Sequence, residues 1–320
     1  KSMKLSVIWN LSEKDSDNQI TLDCLKTELV DYKDPVQILI YPQNKEQLDH
    51  TPLIVNNGEV ITSSLIGASE IEVYEDTQKL VDGDFVTYLY GGDRWSSQTL
   101  SQLQGILKDH SDLAIVMMHK IMPDESEGAF ARGIPDKKIV NLSLKKDYDV
   151  YPFYFGGTIL SAEAFRSHSF QKELGIEAER EYFLSVASKY KKVCFLNQLT
   201  FYSERAQEGD FTFYEPIYDE DWYEKSFTQF WIPFLREQKE KHGSVPVFIQ
   251  YHFMFTVKSR FTSNLNNRNK HVIPEGQERK CLERIGEAFA YIDDDILLNA
   301  HKISEVNVTD SVKWVYGILK

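Results

Sequence analysis

Carboxylates and aromatic rings are the side chains of this sequence that could do chemistry, and they gather in three places. The first is Asp82-Gly83-Asp84-Phe85-Val86-Thr87-Tyr88-Leu89-Tyr90-Gly91-Gly92-Asp93-Arg94-Trp95, with Asp93 in a turn and Trp95 just past it. A turn aspartate either offers its oxygens to a ligand or caps the turn and the following helix through Ser96. A tryptophan beside it either stacks on a sugar or base or packs in the core. The second is Glu177-Ala178-Glu179-Arg180-Glu181, near a helix N-terminus, where the macrodipole favours carboxylates without any catalytic duty. The third, Asp293-Asp294-Asp295, lacks the spacing and closing Glu of a calcium loop and reads as a helix cap with solvated charge.

Other chemistries find less support. His119 and His252 lie in apolar stretches with no His-x-x-x-His or cysteine pair beside them, so both read as core histidines. There is no Gly-x-Ser-x-Gly elbow, and Gly91-Gly92 does not belong to a phosphate loop of the G-x-x-x-x-G-K-[ST] kind. Lys258, Arg260, Arg268 and Lys270, with Tyr251, Phe253, Phe255 and Phe261 nearby, form either an aromatic and cationic face for a phosphate-bearing polymer or lipid headgroup, or the solvated side of an amphipathic helix.

The elements that must position these residues follow from hydrophobic periodicity. Leu5 to Trp9 and Val36 to Tyr41 read as buried strands with a helix, Ile20 to Leu29, between them, which makes a β-α-β start. Pro52 to Thr62 around Asn56-Asn57-Gly58 reads as a β-hairpin. A helix from Glu70 to Val81, a strand from Asp84 to Tyr90, a helix from Ser97 to Leu107 capped by Ser96 or Ser97, and a strand from Leu113 to Met118 follow. Residues 122 to 149 read as a loop with one short strand at Ile139 to Leu142. An aromatic strand from Tyr151 to Ile159, a helix from Glu177 to Lys189 and a strand from Val193 to Leu196 complete the α/β part. Beyond it, Trp222 to His242, Val247 to Leu265, Gln277 to Tyr291 and Asp293 to His301 show helical periodicity. The expected division is 4–208, an α/β domain, and 209–320, mainly helical.

With 320 residues, 42% of them hydrophobic and 13% aromatic, the chain can build two ordinary cores. Its 36 Lys and Arg against 49 Asp and Glu leave a net charge of −13, which disfavours nucleic acid or an anionic membrane as the main partner. Cys24, Cys194 and Cys281 are too few and scattered for a disulfide framework or zinc site and suggest a reduced, cytoplasmic setting. No run reaches the roughly 20 apolar residues of a membrane span, and the apolar ending Val315 to Lys320 suggests a piece of a longer protein.

The segment Gly83 to Trp95 resembles the strand and turn of family 2 glycosyltransferases, whose pattern runs roughly G-[DE]-Y-[IV]-x-F-L-D-x-D-D-x-W. Gly83, Asp84, Phe85, Val86, Leu89, Asp93 and Trp95 fall into register, and Phe155-Gly156-Gly157-Thr158-Ile159-Leu160 with Ala164-Phe165 is similar to the acceptor-side strand and helix of that family. The resemblance implies a GT-A-type mixed sheet between helices over about residues 4 to 205, followed by the helical region. It implies a nucleotide-sugar donor, typically a UDP-sugar, with Mg2+ or Mn2+ on the diphosphate, and a glycan or protein acceptor deprotonated by a carboxylate. On this register Asp93 is the remaining metal or ribose ligand, Trp95 lines the donor, and Glu179 or Glu181 is the base.

The sequence departs from the pattern at three sites. Tyr90 and Gly92 stand on the two aspartates of D-x-D, Tyr41-Pro42-Gln43-Asn44 replaces the acidic turn after the second strand, and Glu179-Arg180 replaces the catalytic acid pair. Two expectations follow: an inverting glycosyltransferase, or an inactive relative of one that binds a glycan or a partner transferase. Gly243 to Tyr251 with the basic helix after it resembles a region behind transferase domains of bacterial teichoic-acid and capsule assembly. That similarity implies work on cell-surface glycan or glycoprotein at the inner membrane face, with peripheral membrane contact.

Overall fold

A computed structural model describes residues 2–49, 53–122, 136–147, 154–203, 220–265, 273, 276–299 and 307–320. The chain divides into two compact units: Lys1–Leu142, Pro152–Lys172 and Ala178–Ala206 form the first, and Ser143–Tyr151, Glu173–Glu177 and Gln207–Lys320 the second.

The first unit is built on a nine-stranded mixed sheet of β1 (Leu5–Asn10), β2 (Val36–Tyr41), β3 (Gly58–Thr62), β4 (Phe85–Tyr90), β5 (Arg94–Trp95), β6 (Ile115–Ile121), β7 (Ile139–Ser143), β8 (Thr158–Ser161) and β9 (Lys192–Tyr202). The strands lie in the order β3-β2-β1-β4-β8-β6-β9-β5, with β7 on β9. β1 to β4 run parallel, β8 is antiparallel to both β4 and β6, and β6 is parallel to β9. The carboxyl ends of β1, β2, β4 and β6 and the start of β8 therefore share one edge of the sheet. This is the GT-A-type mixed sheet that the sequence led us to expect.

Alternation along β1 assigns its two faces, because successive side chains of a strand point oppositely. Leu5, Val7 and Trp9 join the core formed with Leu22, Leu25 and Leu29 of α1 (Asp15–Leu29) and Leu100, Leu103 and Leu107 of α3 (Thr99–Asp109). Ser6, Ile8 and Asn10 face the other way, toward the side of α2 (Glu70–Leu80). There Tyr74, Tyr88 and Phe155 pack ring against ring at 5.1 to 5.8 Å, and Phe155 meets Phe165 of α4 (Ala162–Arg166) and Phe183 of α5 (Ala178–Tyr190).

Three local expectations need correction. The aromatic strand expected from Tyr151 to Ile159 is, among the described residues, a turn over 154–157 closed by the Thr158 N–H on the Phe155 carbonyl, and β8 begins only at Thr158. The Asn56-Asn57-Gly58 stretch does not turn a hairpin, since β3 lies parallel to β2 at the sheet edge. Asn56 donates to the carbonyls of Leu29, Val30 and Tyr32 and Asn57 to that of Lys33, so these amides tie the end of α1 to the strand. At Gly58, φ is +133°, and a Cβ would stand 1.8 Å from the Val36 carbonyl oxygen. Helix α3 begins two residues later than expected and is not capped by Ser96 or Ser97. Glu28 reaches across from α1 to accept the Gln98 and Leu100 N–H groups, both at 2.9 Å.

The second unit contains α6 (Glu220–Tyr223), a π-helical turn Ser226–Trp231, α7 (Ile232–His242), α8 (Val247–Leu265), α9 (Glu278–Phe289), α10 (Asp294–Asn299) and α11 (Asp310–Leu319). The π turn precedes Pro233, which has no N–H to continue an i→i−4 ladder. The proposed cationic face loses a member here, because Arg260 is 2% exposed. Its guanidinium donates to the Trp222 and Thr256 carbonyls and stacks over the Trp222 and Phe227 rings. Arg268 and Lys270 lie outside the described residues. Asp293 Oδ2 accepts from Gln250 Nε2, its N–H donates to Gln250 Oε1, and its backbone carbonyl accepts the Ile296 and Leu297 N–H groups of α10, so this side chain is spent on Gln250 and not on the helix cap expected of it. The ending from Val315 onward, read only as apolar, belongs to α11.

Candidate functional site

In open α/β sheets ligands bind outside the carboxyl ends of the strands, where the chain leaves neighbouring strands in opposite directions. β1 meets that description, with β2 on one side and β4 on the other. Asn10 at its end pairs in register with Tyr41 and with Tyr90.

The polar groups of this edge form a directed chain. Glu70 ends it with a carboxylate, which only accepts, so Tyr88 must donate to Glu70 (2.9 Å) and accept from Asn10 Nδ2 (3.2 Å). Asn10 Oδ1 then faces Gln43 Nε2 at 3.0 Å, and Gln47 accepts from Gln43 N–H while donating to the Ser12 carbonyl. One carboxylate thus sets the orientation of Asn10 and, through it, of Gln43. No motif announced these residues; the available signal was a polar side chain at the carboxyl end of an otherwise buried strand.

The β4 turn is built around its glycines. Gly91 N–H donates to the Asn10 carbonyl, and Gly92, at φ +106°, donates to Thr21 Oγ1. Asp93 is 1% exposed; its Oδ2 accepts the Tyr90 N–H at 2.9 Å, and its carbonyl accepts from Thr21. The carboxylate therefore closes its own turn. Magnesium and manganese want near-octahedral oxygen ligands. Tyr90 and Gly92 supply no carboxylate, and among the described residues no group of three His, Cys, Asp or Glu side chains converges on a cation. These residues do not fit a divalent-ion site. Trp95 is 4% exposed and packs in the core beneath the sheet, its backbone N–H on Cys24 Sγ.

At the start of α5, Glu179 and Glu181 are 3% and 4% exposed and serve different neighbours. Glu179 Oε1 accepts the Phe155 N–H at 2.6 Å and the Tyr74 hydroxyl at 3.4 Å, which ties down the segment leading into Gly156-Gly157. Glu181 Oε1 is shared by His168 (2.8 Å), Ser185 (3.0 Å) and Gln171 (3.3 Å). Arg180 between them is buried as well. Near Gly156, Lys120 at the end of β6 is 5% exposed and lies 3.6 Å over the Tyr154 ring. Lys120 is a cation at the ligand edge that no sequence pattern singled out.

The remaining candidates are structural. His252 is fully buried beside Trp231, and His119 is half-buried, edge-on to Phe195. All three cysteines are free, and burial pushes each thiol above its ordinary range, Cys194 to about 11. No helix among the described residues is long and apolar enough to cross a membrane.

No protein-family model matches the chain. It is 18% identical over 240 residues to the minor teichoic acid biosynthesis protein GgaB of Bacillus subtilis, an alignment covering 75% of this chain and 26% of that protein. Its fold matches TarS of S. aureus at a TM-score of 0.63 and 12% identity, over 98% of this chain and 55% of that one. The fragment TarS 1-349 in complex with UDP-GlcNAc gives 0.62 at 14% identity, over 98% and 91%. The chain thus spans about a quarter of its curated relative and about half of the longer TarS chain. It has the GT-A glycosyltransferase fold and is similar in sequence to a protein of teichoic-acid biosynthesis.

Proposed function

We propose that this chain is the glycosyltransferase-like domain of a bacterial cell-surface glycan assembly protein, that it binds a UDP-sugar at the carboxyl edge of β1, β2 and β4, and that it works at the cytoplasmic face. The observation that carries the reading is the pre-oriented amide chain Gln43-Asn10-Tyr88-Glu70 at the edge where α/β sheets bind ligands. The UDP-GlcNAc complex of a protein with this fold supports the choice of donor. Because the Asp93 turn fits no cation, the diphosphate is received without a protein-held metal at that turn. In a transfer reaction Glu179 or Glu181 would take the acceptor proton, and each would first have to leave the partners that now hold it.

That engagement favours a second reading, a module that binds the nucleotide sugar or a partner transferase and transfers nothing. Titration calorimetry with UDP and UDP-GlcNAc, with manganese and with EDTA, tests the first proposal. Binding indifferent to EDTA is expected, and no heat at about millimolar ligand would remove the donor-site reading. UDP release from the same protein in the presence of acceptor separates the two: turnover lost in Glu179→Gln supports transfer, and binding without turnover supports the module.

A further inference from the structure

We infer that the sheet of the first unit continues into a second copy of this chain, β3 of one copy pairing antiparallel with β3 of the other about a two-fold axis at Val60. β3 ends the strand order, and all of its residues except Val60 are exposed. Open edges are ordinarily blunted by Lys, Pro, a bulge or a very short strand. Gly58-Glu59-Val60-Ile61-Thr62 contains neither Lys nor Pro, its register on β2 runs unbroken from Val36↔Gly58 to Ile40↔Thr62, and it is as long as an ordinary strand. Exposed apolar side chains accompany it: Ile61 in the strand, Ile54 just before it, Leu65 just after it, and Val30, whose carbonyl Asn56 holds.

The backbone of β3 is turned to accept such a partner. The Val36 N–H bonds the Asn57 carbonyl, and the Ser63 N–H bonds the Ile40 carbonyl. A trans peptide points its C=O and the following N–H in opposite directions. The N–H of Gly58 and the carbonyl of Thr62 therefore face away from β2, and alternation along the strand turns both groups of Gly58, Val60 and Thr62 outward.

These three residues are self-complementary. Antiparallel pairing centred on Val60 sets Val60 against Val60 and Gly58 against Thr62, each pair exchanging two N–H···O=C bonds. Gly58 has no side chain to crowd Thr62. The one charge of the strand, Glu59, lies beside Gln37 Nε2 (3.1 Å) and Lys4 Nζ (3.8 Å) of its own copy and comes opposite Ile61 of the second copy. A register centred on Glu59 would instead oppose the two carboxylates, which is unfavourable. Charge thus selects the Val60 register, and a two-fold contact between like surfaces is the commonest oligomer geometry. A strand pair of this length falls short of the roughly 1,200 Å2 of a standard interface, so the dimer is weak, with a Kd on the order of 100 µM.

Sedimentation equilibrium of the 320-residue chain from about 10 µM to 1 mM tests the inference. The expected result is a monomer–dimer equilibrium, at least about tenfold weaker in Thr62→Pro, because the lost N–H serves no bond to β2 and the ring blocks the outer edge. Ile61→Glu and Ile61→Lys remove the same exposed side chain but place opposite charges against Glu59 of the second copy. Ile61→Glu should weaken association about tenfold, while Ile61→Lys should match or exceed the wild type. Ile61 is on the surface, so this pair decides the matter even if Thr62→Pro unfolds. A monomer throughout the range, which would leave the edge to a strand of another protein, overturns the inference. So does a trimer or larger species, association indifferent to a folded Thr62→Pro, or equal weakening by the two charges at position 61.

Discussion

The β4 turn invites one sharp perturbation, Gly91→Ala. A Cβ at this position would stand 2.1 Å from Asn18 Oδ1, 2.6 Å from the Ser12 amide nitrogen and 2.8 Å from Ser12 Cβ. The Asn18 amide could rotate away, yet it holds Ser12 N–H at 2.7 Å and the Ser12 carbonyl at 2.8 Å, and the Ser12 carbonyl is held by Gln47 as well. Forcing a methyl into a filled space costs about 1–3 kcal/mol, and each lost hydrogen bond about 1 kcal/mol more. The expected loss is about 3–5 kcal/mol, a drop in Tm of roughly 6–20 °C for a domain of this size. Scanning calorimetry and urea unfolding read it, and UDP titration shows whether the displaced turn also weakens the donor site. The double variant with Asn18→Ala is the internal control. Removing the amide relieves the nearest clash, so Gly91→Ala should cost at least about 1 kcal/mol less on that background. A loss below about 0.5 kcal/mol, or full additivity, would refute the reasoning.

Restoring the D-x-D acid with Gly92→Asp should fail to create a manganese site. A side chain at φ +106° is strained by about 1–3 kcal/mol, so calorimetry should show lower stability and no manganese heat. Burial pushes the Glu28 carboxyl above its ordinary 4.5, against the Leu100 and Gln98 N–H bonds that lower it. The folded chain therefore binds that proton more tightly than the unfolded one. The contribution is complete below about pH 4.5 and is lost as pH rises through the folded value, so urea midpoints of wild type and Glu28→Gln should converge upward through that window. In the second unit, Arg260→Ala removes the donors on the Trp222 carbonyl and should cost about 3 kcal/mol in urea unfolding. Arg260→Lys should recover little of it, since a lysine lacks the planar fork.

Much of the first unit was legible because burial periodicity is a local property. β1, β2 and β4 are short runs dominated by apolar and aromatic residues, and the helices around them repeat at helical spacing, so the mixed α/β sheet could be anticipated. The partners of polar side chains are not local. Asn56 finds its carbonyls 24 to 27 residues back in the chain, which turns an apparent hairpin into a parallel edge strand. Glu28 caps a helix about 70 residues away, displacing the serines that sequence rules favour. Arg260 turns inward to a carbonyl 38 residues distant, where helical periodicity allowed a solvated charge.

The same division runs through the candidate site. The sequence by itself determined which acids are present and which are missing, since Tyr90, Gly92 and Arg180 can be read directly at their positions. Only the tertiary structure decided what the surviving acids are attached to: Asp93 to its own turn, Glu179 to Phe155 and Tyr74, and Glu181 to His168. The physical reason is that a carboxylate buried on folding must find donors, and those donors come from backbone and side chains that no spacing along the chain identifies.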